Sequence, residues 1–108
     1  MNRHIVISGA AAAALVGASA LVIAQDNASQ SYTDAMKKMM DSMHIEPTGD
    51  ADKDFVMMMI PHHHGAIDMA KVELQYGKDE QLRKMAQDVI AAQEKEIATM
   101  REWQSKHQ

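Results

Sequence analysis

Residues 54–77 read DFVMMMIPHHHGAIDMAKVELQYG. Apolar side chains recur in this stretch at spacings of three and four residues, which is typical of an amphipathic helix. Acidic residues between positions 50 and 54 offer N-terminal caps, and Gly77 suits the position after the last turn. The stretch therefore predicts a helix from about Lys53 to Tyr76, around which the rest of a small protein can pack.

Pro61 lies inside this pattern, directly before three consecutive histidines. Proline has no N–H to donate and its ring clashes with the preceding turn, so it either bends a helix or occupies the first turn of a new one. The pattern leaves both alternatives open. In either case the change in the backbone is expected beside the histidines.

The flanking segments predict two more helices. Ser31 or Thr33 can cap a first helix that runs to about His44, before the turn PTGD at 47–50, and Asp79 can cap a third that reaches about Lys106. No segment alternates in the manner of a strand. The chain is therefore predicted to be all-α, a small antiparallel bundle or hairpin of three helices.

The N-terminus has the composition of a secretory signal peptide at 1–24. Arg3 gives a basic start, residues 5–23 carry no charge, and small residues precede Ala24, after which cleavage is predicted, with Ala20 as the alternative site. The competing interpretation is a retained membrane anchor, since about 19 apolar residues can just span a bilayer. Cleavage predicts a periplasmic or secreted protein without stable membrane insertion.

Cleavage would leave a polar leader at 25–30, predicted to be disordered, and one helical domain at 31–106. Residues 25–108 carry 10 basic and 15 acidic side chains, a net charge of −5, which argues against a nucleic-acid partner. A chain this short buries only a thin core, so self-association into a homo-oligomer is expected.

Methionine is unusually frequent in this chain. Ten of the eleven methionines lie in residues 25–108, where leucine occurs only at Leu74 and Leu82. Leucine is normally the commonest core residue, and flexible methionine specifies a core poorly. Thioether sulfur is a soft ligand that suits Cu(I), imidazole binds copper generally, and the chain has no cysteine. Copper is therefore the predicted ligand, with Cu(I) favoured over Cu(II).

Helical geometry selects the candidate ligands. A rotation of about 100° per residue groups a set of side chains around Phe55, on the face predicted to point into the bundle. The main candidates on or at the edge of that face are Met59, His62, His63 and Met69. Candidates on the other two helices are Met36, Met40, Met43 and Met100. His64 falls on the opposite side and is expected to face solvent.

Gln93 and Glu96 fall in the middle of the apolar face of the third helix, where burial without a partner is costly. The histidines of the second helix are the expected partners, because an antiparallel hairpin centred between Gly77 and Lys78 puts residue 62 level with residue 93. A carboxylate often orients a metal-bound imidazole, so both residues are expected to support the ligands. The alternative is that the methionines only pack and that the inward histidine is structural.

Several spaced elements resemble a known family. They are MMIPHH at 58–63, Ala66, MA at 69–70, Gln93, EI at 96–97, Met100 and Trp103, with DF at 54–55 ahead of them. In combination they resemble the DUF305 family over about residues 32–103. The resemblance implies an exported protein with a ferritin-like arrangement of helices. It also implies copper binding through methionine and histidine, because copper-resistance proteins of the CopM type belong to this family and share a methionine-rich first helix.

The residues and the resemblance predict an exported copper-binding protein, not an enzyme. It would sequester copper or transfer it to other periplasmic copper-handling proteins. One alternative is a structural helical interaction module with no bound metal. The other is a ferritin-like metal oxidase, which is the weaker alternative because di-iron bundles use Glu-x-x-His pairs that this chain lacks.

Overall fold

The computed structural model describes residues 10–108, with side chains from residue 17 onward. It contains three helices, which are α1 (Ala10–Ser42), α2 (Ala51–Tyr76) and α3 (Glu80–Lys106). There is no strand in this part of the chain, so the predicted all-α class is confirmed. α2 and α3 begin and end within about two residues of the prediction, which is the usual uncertainty of helix ends.

α1 begins much earlier than the predicted first helix. Residues 25–30, expected to be a disordered leader, are helical and continue the helix that starts at Ala10. Residues 10–24 are rich in alanine, the strongest helix former. Extending an existing helix costs far less than nucleating one, and the polar residues that follow contain no proline to stop it.

The N-terminal residues 1–9, where the predicted signal peptide begins, lie outside the described part of the chain. Among the helices that are described, none combines the length and the apolar character needed to cross a bilayer.

The turn before α2 is held by two aspartates. Of the acidic residues that the sequence offered as caps, Asp50 caps α2 by accepting from the backbone N–H groups of Asp52 and Lys53 at 3.0 and 3.1 Å. The Asp54 carboxylate reaches back and accepts from the Thr48 hydroxyl at 2.7 Å and the Thr48 N–H at 2.8 Å. Gly49 takes a φ of 91°, which glycine adopts without strain.

These contacts predict an acid-sensitive step in unfolding. Hydrogen bonds from the Thr48 side chain, and then from its backbone, lower the pKa of Asp54 below its ordinary value. A lowered pKa contributes stability that is present above the unfolded-state pKa and is lost as pH falls through the folded-state value. The melting temperature should therefore drop less between about pH 5 and pH 3 in Asp54→Asn than in the wild type, measured by circular dichroism. Asp52→Asn, two residues away, is the matched control and should keep the wild-type drop.

The connection between α2 and α3 is tight and well capped. Gly77 closes α2 by donating its N–H to the Glu73 carbonyl at 2.7 Å, but its φ of −68° is not the left-handed value expected of such a glycine. Glycine is needed for space instead, because a Cβ at Gly77 would lie 2.6 Å from that carbonyl oxygen. The Arg83 guanidinium donates to the Leu74 carbonyl at 2.7 Å, and Asp79 caps α3 through the Leu82 N–H at 2.9 Å.

α2 runs through Pro61 without interruption. The alternative in which Pro61 begins a separate helical segment is therefore wrong. Pro61 is the eleventh of the 26 residues of α2. The helix continues on both sides of it and lacks the one backbone hydrogen bond that proline cannot donate.

α2 is the central helix of a flat bundle, with α1 and α3 on opposite sides of it. Its buried residues form two stripes about half a turn of the helix apart. The stripe that faces α3 comprises Val56, His63, Ile67 and Ala70. The other, with Gly65 and Val72, faces α1, since a Cβ on Gly65 would overlap the Met39 side chain. The smallest extent of the molecule is 15 Å, little more than the roughly 10–12 Å diameter of one helix.

The core of this bundle contains no methionine. Among the described residues the buried apolar side chains are Ala35, Val56, Ile67, Ala70, Val72, Ala86 and Ile97. None of the described large side chains is fully buried. Alanine, valine and isoleucine therefore pack the helices together, and the methionines lie half-buried or exposed around them.

Candidate metal-binding face

Eight of the ten methionines of residues 25–108 gather on one broad side of the flat bundle. Helical rotation from the buried stripes places them there, and the Tyr32 hydroxyl, which donates to Glu73 at 3.5 Å, joins α1 to α2 on this side. We call this side the thioether face. Its members are Tyr32, Met36, Met40, Met43, Phe55, Met58, Met59, His62, Met69, Leu82, Met85 and Met100.

The opposite side of the bundle is charged. Lys38 of α1 pairs with Asp68 of α2 at 3.3 Å, and Arg101 of α3 lies 3.3 Å from the His64 ring. A groove between α1 and α3 on this side is also lined by Lys71 and Glu94. His64 therefore faces solvent and a charged groove, as predicted, and is separated from the methionines by the width of α2.

The thioether face is the face that the sequence predicted to point into the bundle, and that orientation is wrong. Phe55, at its centre, is 60% exposed, and His62 is exposed as well. α3 packs instead against the stripe that contains His63. His63 follows His62 by one residue and therefore points about 100° further around α2 than His62 does. Only one of the two histidines expected inside the bundle is therefore buried.

His63 is buried between α2 and α3, where it is 6% exposed. Its Nε2 lies 2.5 Å from a carboxylate oxygen of Glu96, whose side chain remains 60% exposed. The expectation that a histidine of α2 pairs with Glu96 is confirmed. The register differs, because the hairpin is centred between residues 79 and 80 and His62 is not level with Gln93. The segment 77–79 is not helical, so the true centre lies later in the chain than Gly77.

The other ring nitrogen of His63 has no partner. Nδ1 is buried and lacks a hydrogen bond, although buried polar atoms normally find one. An ionised carboxylate only accepts, so Nε2 carries the hydrogen that Glu96 receives, and in the neutral imidazole Nδ1 then keeps a lone pair that has no partner. This is the arrangement of a metal-binding histidine, in which one nitrogen donates to a carboxylate and the other binds the ion.

His62 adds a second imidazole on the open side. Its ring lies edge-on to that of His63, with centroids 6.3 Å apart. Met58 precedes it by four residues and is therefore its neighbour on the helix surface. Met58 was absent from the predicted ligands although this spacing was readable in the sequence.

The alignment of the three helices brings three more predicted ligands, Met43, Met59 and Met100, to the same height along the bundle as His62 and His63. Lys38 against Asp68, and Met39 against Gly65, fix the antiparallel alignment of α1 on α2. Continuing that alignment by one turn places Met43 level with His62. On the other side, the pairing of His63 with Glu96 places Met59 level with Met100. We call these residues the histidine cluster, with members Met43, Met58, Met59, His62, His63 and Met100.

The remaining predicted ligands lie further along the bundle. Met69 is seven residues beyond His62, about 10 Å along the helix axis, and the same α1 alignment places Met36 beside it. Met40 lies between the two levels. Gln93 is half-buried on α3, level with about residue 66, so it does not meet His62. The predicted ligand set therefore divides into the histidine cluster and an outlying pair of thioethers.

Tyr32 and Glu73 border this outlying pair. Partial burial raises the pKa of the Tyr32 hydroxyl, and the neighbouring Glu73 carboxylate raises it further through its charge and the hydrogen bond. The phenol therefore stays protonated and continues to donate to Glu73 across the gap between α1 and α2.

Histidine and carboxylate side chains alone do not make a metal site in the described residues, since no three of them converge. An ion on the thioether face must therefore be held largely by methionine sulfur. Such ligands suit a soft cation and disfavour hard ions such as Mg²⁺ or Ca²⁺, which take oxygen ligands.

Comparison with known proteins gives a family match over nearly the whole chain. The sequence model described as "Domain of unknown function (DUF305)" matches residues 10–104. A relative, "Uncharacterized protein L153" of Acanthamoeba polyphaga mimivirus, is 41% identical over 49 residues. That alignment covers 45% of this chain and 32% of the relative, so the chain spans about a third of the length of the curated protein it matches.

Proposed function

The chain belongs to the DUF305 family, and we propose that this member binds Cu(I) on its thioether face. The observation that carries the proposal is that the core contains no methionine. Burial in the core therefore does not account for most of the ten methionines of residues 25–108, with Met39, which packs on Gly65, as the exception. Sulfur atoms placed around the core, beside two histidines, are accessible to a soft cation.

In this proposal the histidine cluster holds the ion. His63 binds through Nδ1, the buried nitrogen that has no other partner, and His62 approaches from the open side. Thioethers of Met43, Met58, Met59 and Met100 supply the soft ligands. Glu96 does not touch the ion but holds the His63 ring in place and increases its basicity through the Nε2–H bond.

The outlying pair, Met36 and Met69, has no imidazole at its level. It offers weaker, purely thioether contact along the same face, on either side of Met40. Because thioethers carry no proton in the physiological range, an ion can move between such positions without a change of protonation. The thioether face thus has one strong position and a weaker extension toward the α2–α3 turn.

The biological role that fits this chemistry is copper buffering outside the cytoplasm. An exported protein without cysteine cannot lose its ligands to disulfide formation. We propose that it sequesters copper for resistance, or passes it to other copper-handling proteins in the periplasm, and that it has no enzymatic step. In the monomer, the exposed side chain of His62 leaves the ion within reach of such a partner.

The proposal can be tested by removing the methionine sulfur atoms while keeping the volume of the side chains. The triple variant Met43→Leu, Met58→Leu and Met59→Leu keeps a similar side-chain volume, a change that cores usually tolerate, but removes three sulfur atoms. Competition of the purified protein with a chromophoric Cu(I) chelator should show submicromolar affinity in the wild type and a loss of about tenfold or more in the variant, that is, at least about 1.4 kcal/mol.

Met57→Leu is the matched control, because Met57 lies on the side of α2 away from the thioether face and lines grooves beside Thr48 and Pro61. It should bind Cu(I) as the wild type does. A wild-type protein that does not compete with the chelator, or a triple variant that binds as tightly as Met57→Leu, would refute the proposal.

A second candidate function, a helical interaction module without metal, is favoured by one observation. The thioether face also carries large apolar side chains that are not ligands, among them Phe55 and Leu82, and both are exposed. Copper does not account for these residues.

A further inference from the structure

From Tyr32 onward, the described residues expose their large apolar side chains on one side of the bundle. Exposed large apolar residues from Tyr32 onward are Tyr32, Met36, Met40, Phe55, Met69, Leu82 and Met85. All seven belong to the thioether face, and their exposed fractions run from 36% at Met69 to 65% at Met40. Contiguous apolar surface of this kind on a small protein marks an interaction site.

We infer that the thioether face is the contact surface of a homodimer, in which a second copy of this chain packs face to face against the first. This goes beyond copper binding and does not depend on it, because burying these apolar side chains away from water is favourable whether or not an ion is present.

The shape of the bundle points to a second copy as the occupant. Stable domains bury apolar surface between at least two packed layers, whereas this molecule is 15 Å thick, which is close to a single layer of helices. Two copies related by a twofold axis would form two layers of three helices. In such a dimer each residue of the patch meets the same patch on the partner, so an apolar face meets an apolar face.

The available area is that of a stable dimer. α2 has 26 residues, about 39 Å at 1.5 Å per residue, and the bundle is 26 Å wide. The face therefore offers at most about 1,000 Å² per copy, which is of the same order as the about 800 Å² per partner in a typical specific interface.

Charge also favours self-association over a charged partner. The residues by which the thioether face is defined are uncharged. Two carboxylates, Glu73 and Glu96, lie on the same side, and each is paired within its own chain, with Tyr32 and with His63. The salt-bridged Lys38 and Asp68 lie on the opposite side, together with Arg101. An acidic partner would find no cationic complement on the apolar side.

The test compares a charge placed on each side of the same helix. Leu82 on the thioether face and Ala98 on the charged side are both exposed, so Leu82→Glu and Ala98→Glu both leave the core intact. Sedimentation equilibrium of the chelator-treated, metal-free protein at about 1 to 100 μM should show a dimer for the wild type and for Ala98→Glu. The dimer dissociation constant of Leu82→Glu should rise at least about tenfold, because the dimer would enclose two unpaired carboxylates.

A second variant, Met40→Glu, places the charge on α1 and should weaken the dimer in the same way. Circular dichroism should give the same helix content for all variants. A wild-type protein that is monomeric throughout this concentration range would overturn the inference, as would equal effects of Leu82→Glu and Ala98→Glu. Because no copper is present, these outcomes are independent of the chelator competition that tests metal binding.

Discussion

Replacing both His62 and His63 by alanine is expected to weaken Cu(I) binding by at least about 100-fold, or about 2.7 kcal/mol. The double variant removes both imidazoles of the histidine cluster and leaves only thioethers. It also leaves Glu96 without the ring that it orients. Chelator competition measures the loss, and the helix content of the variant should stay close to that of the wild type, because His63 is the only buried polar residue removed from the described core.

His64→Ala is the matched control for this prediction. It removes the same type of side chain from the adjacent position, but His64 lies beside Arg101 on the charged side. Its Cu(I) affinity should remain within about twofold of the wild type. If His64→Ala loses as much affinity as the double variant, binding depends on the histidine run as a flexible tract and not on the two positions singled out by the fold.

The histidine run shows how far the sequence could be read. Three adjacent histidines on a helix must point in three directions, and the sequence correctly separated His64 from the other two. It could not decide between His62 and His63. The deciding fact is which stripe of α2 meets α3, and the stripe chosen by the fold, around Val56 and Ile67, is no more apolar than the methionine stripe.

Hydrophobic periodicity assumes that the most apolar face of a helix is the buried one. In α2 the most apolar face is open and carries Phe55, which is 60% exposed. An apolar surface that serves a ligand or another chain has the same periodicity as a core. The sequence therefore predicted correctly which residues of α2 share the thioether face, but predicted wrongly that this face points into the bundle.

Local signals were read more reliably than register. The caps at Asp50 and Asp79 act within three residues of themselves, so they fixed the starts of α2 and α3. The alignment of α2 with α3 depends on how many residues the turn uses. The centre of the hairpin lies two positions later than expected, so His63 meets Glu96, whereas His62 was expected to meet Gln93. The division of the ligand set into two levels follows from that alignment together with the position of α1, neither of which has a local signature.

The packing of α1 on α2 can be tested at its closest point. A Cβ built on Gly65 would lie 2.6 Å from Cγ and 2.9 Å from Cβ of Met39, and Met39 Cβ cannot move without its backbone. Gly65→Ala is therefore expected to lower the free energy of unfolding by about 1 to 3 kcal/mol through overpacking. This occurs although alanine favours a helix over glycine by about 1 kcal/mol. Urea denaturation followed by circular dichroism measures the change.

The contact can be isolated from other effects of the methyl group by a double-mutant cycle with Met39→Ala. That substitution removes the Cγ and sulfur that overlap the new methyl, so the combined variant should lose less stability than the two single variants added together. Gly65→Ala should also weaken Cu(I) binding, because α1 carries Met43 to the level of His62 and a displaced α1 withdraws it. A Gly65→Ala protein that is more stable than the wild type, with additive behaviour in the cycle, would mean that α1 does not rest on Gly65, and the thioether ligands of α1 would then have no fixed place beside the histidines.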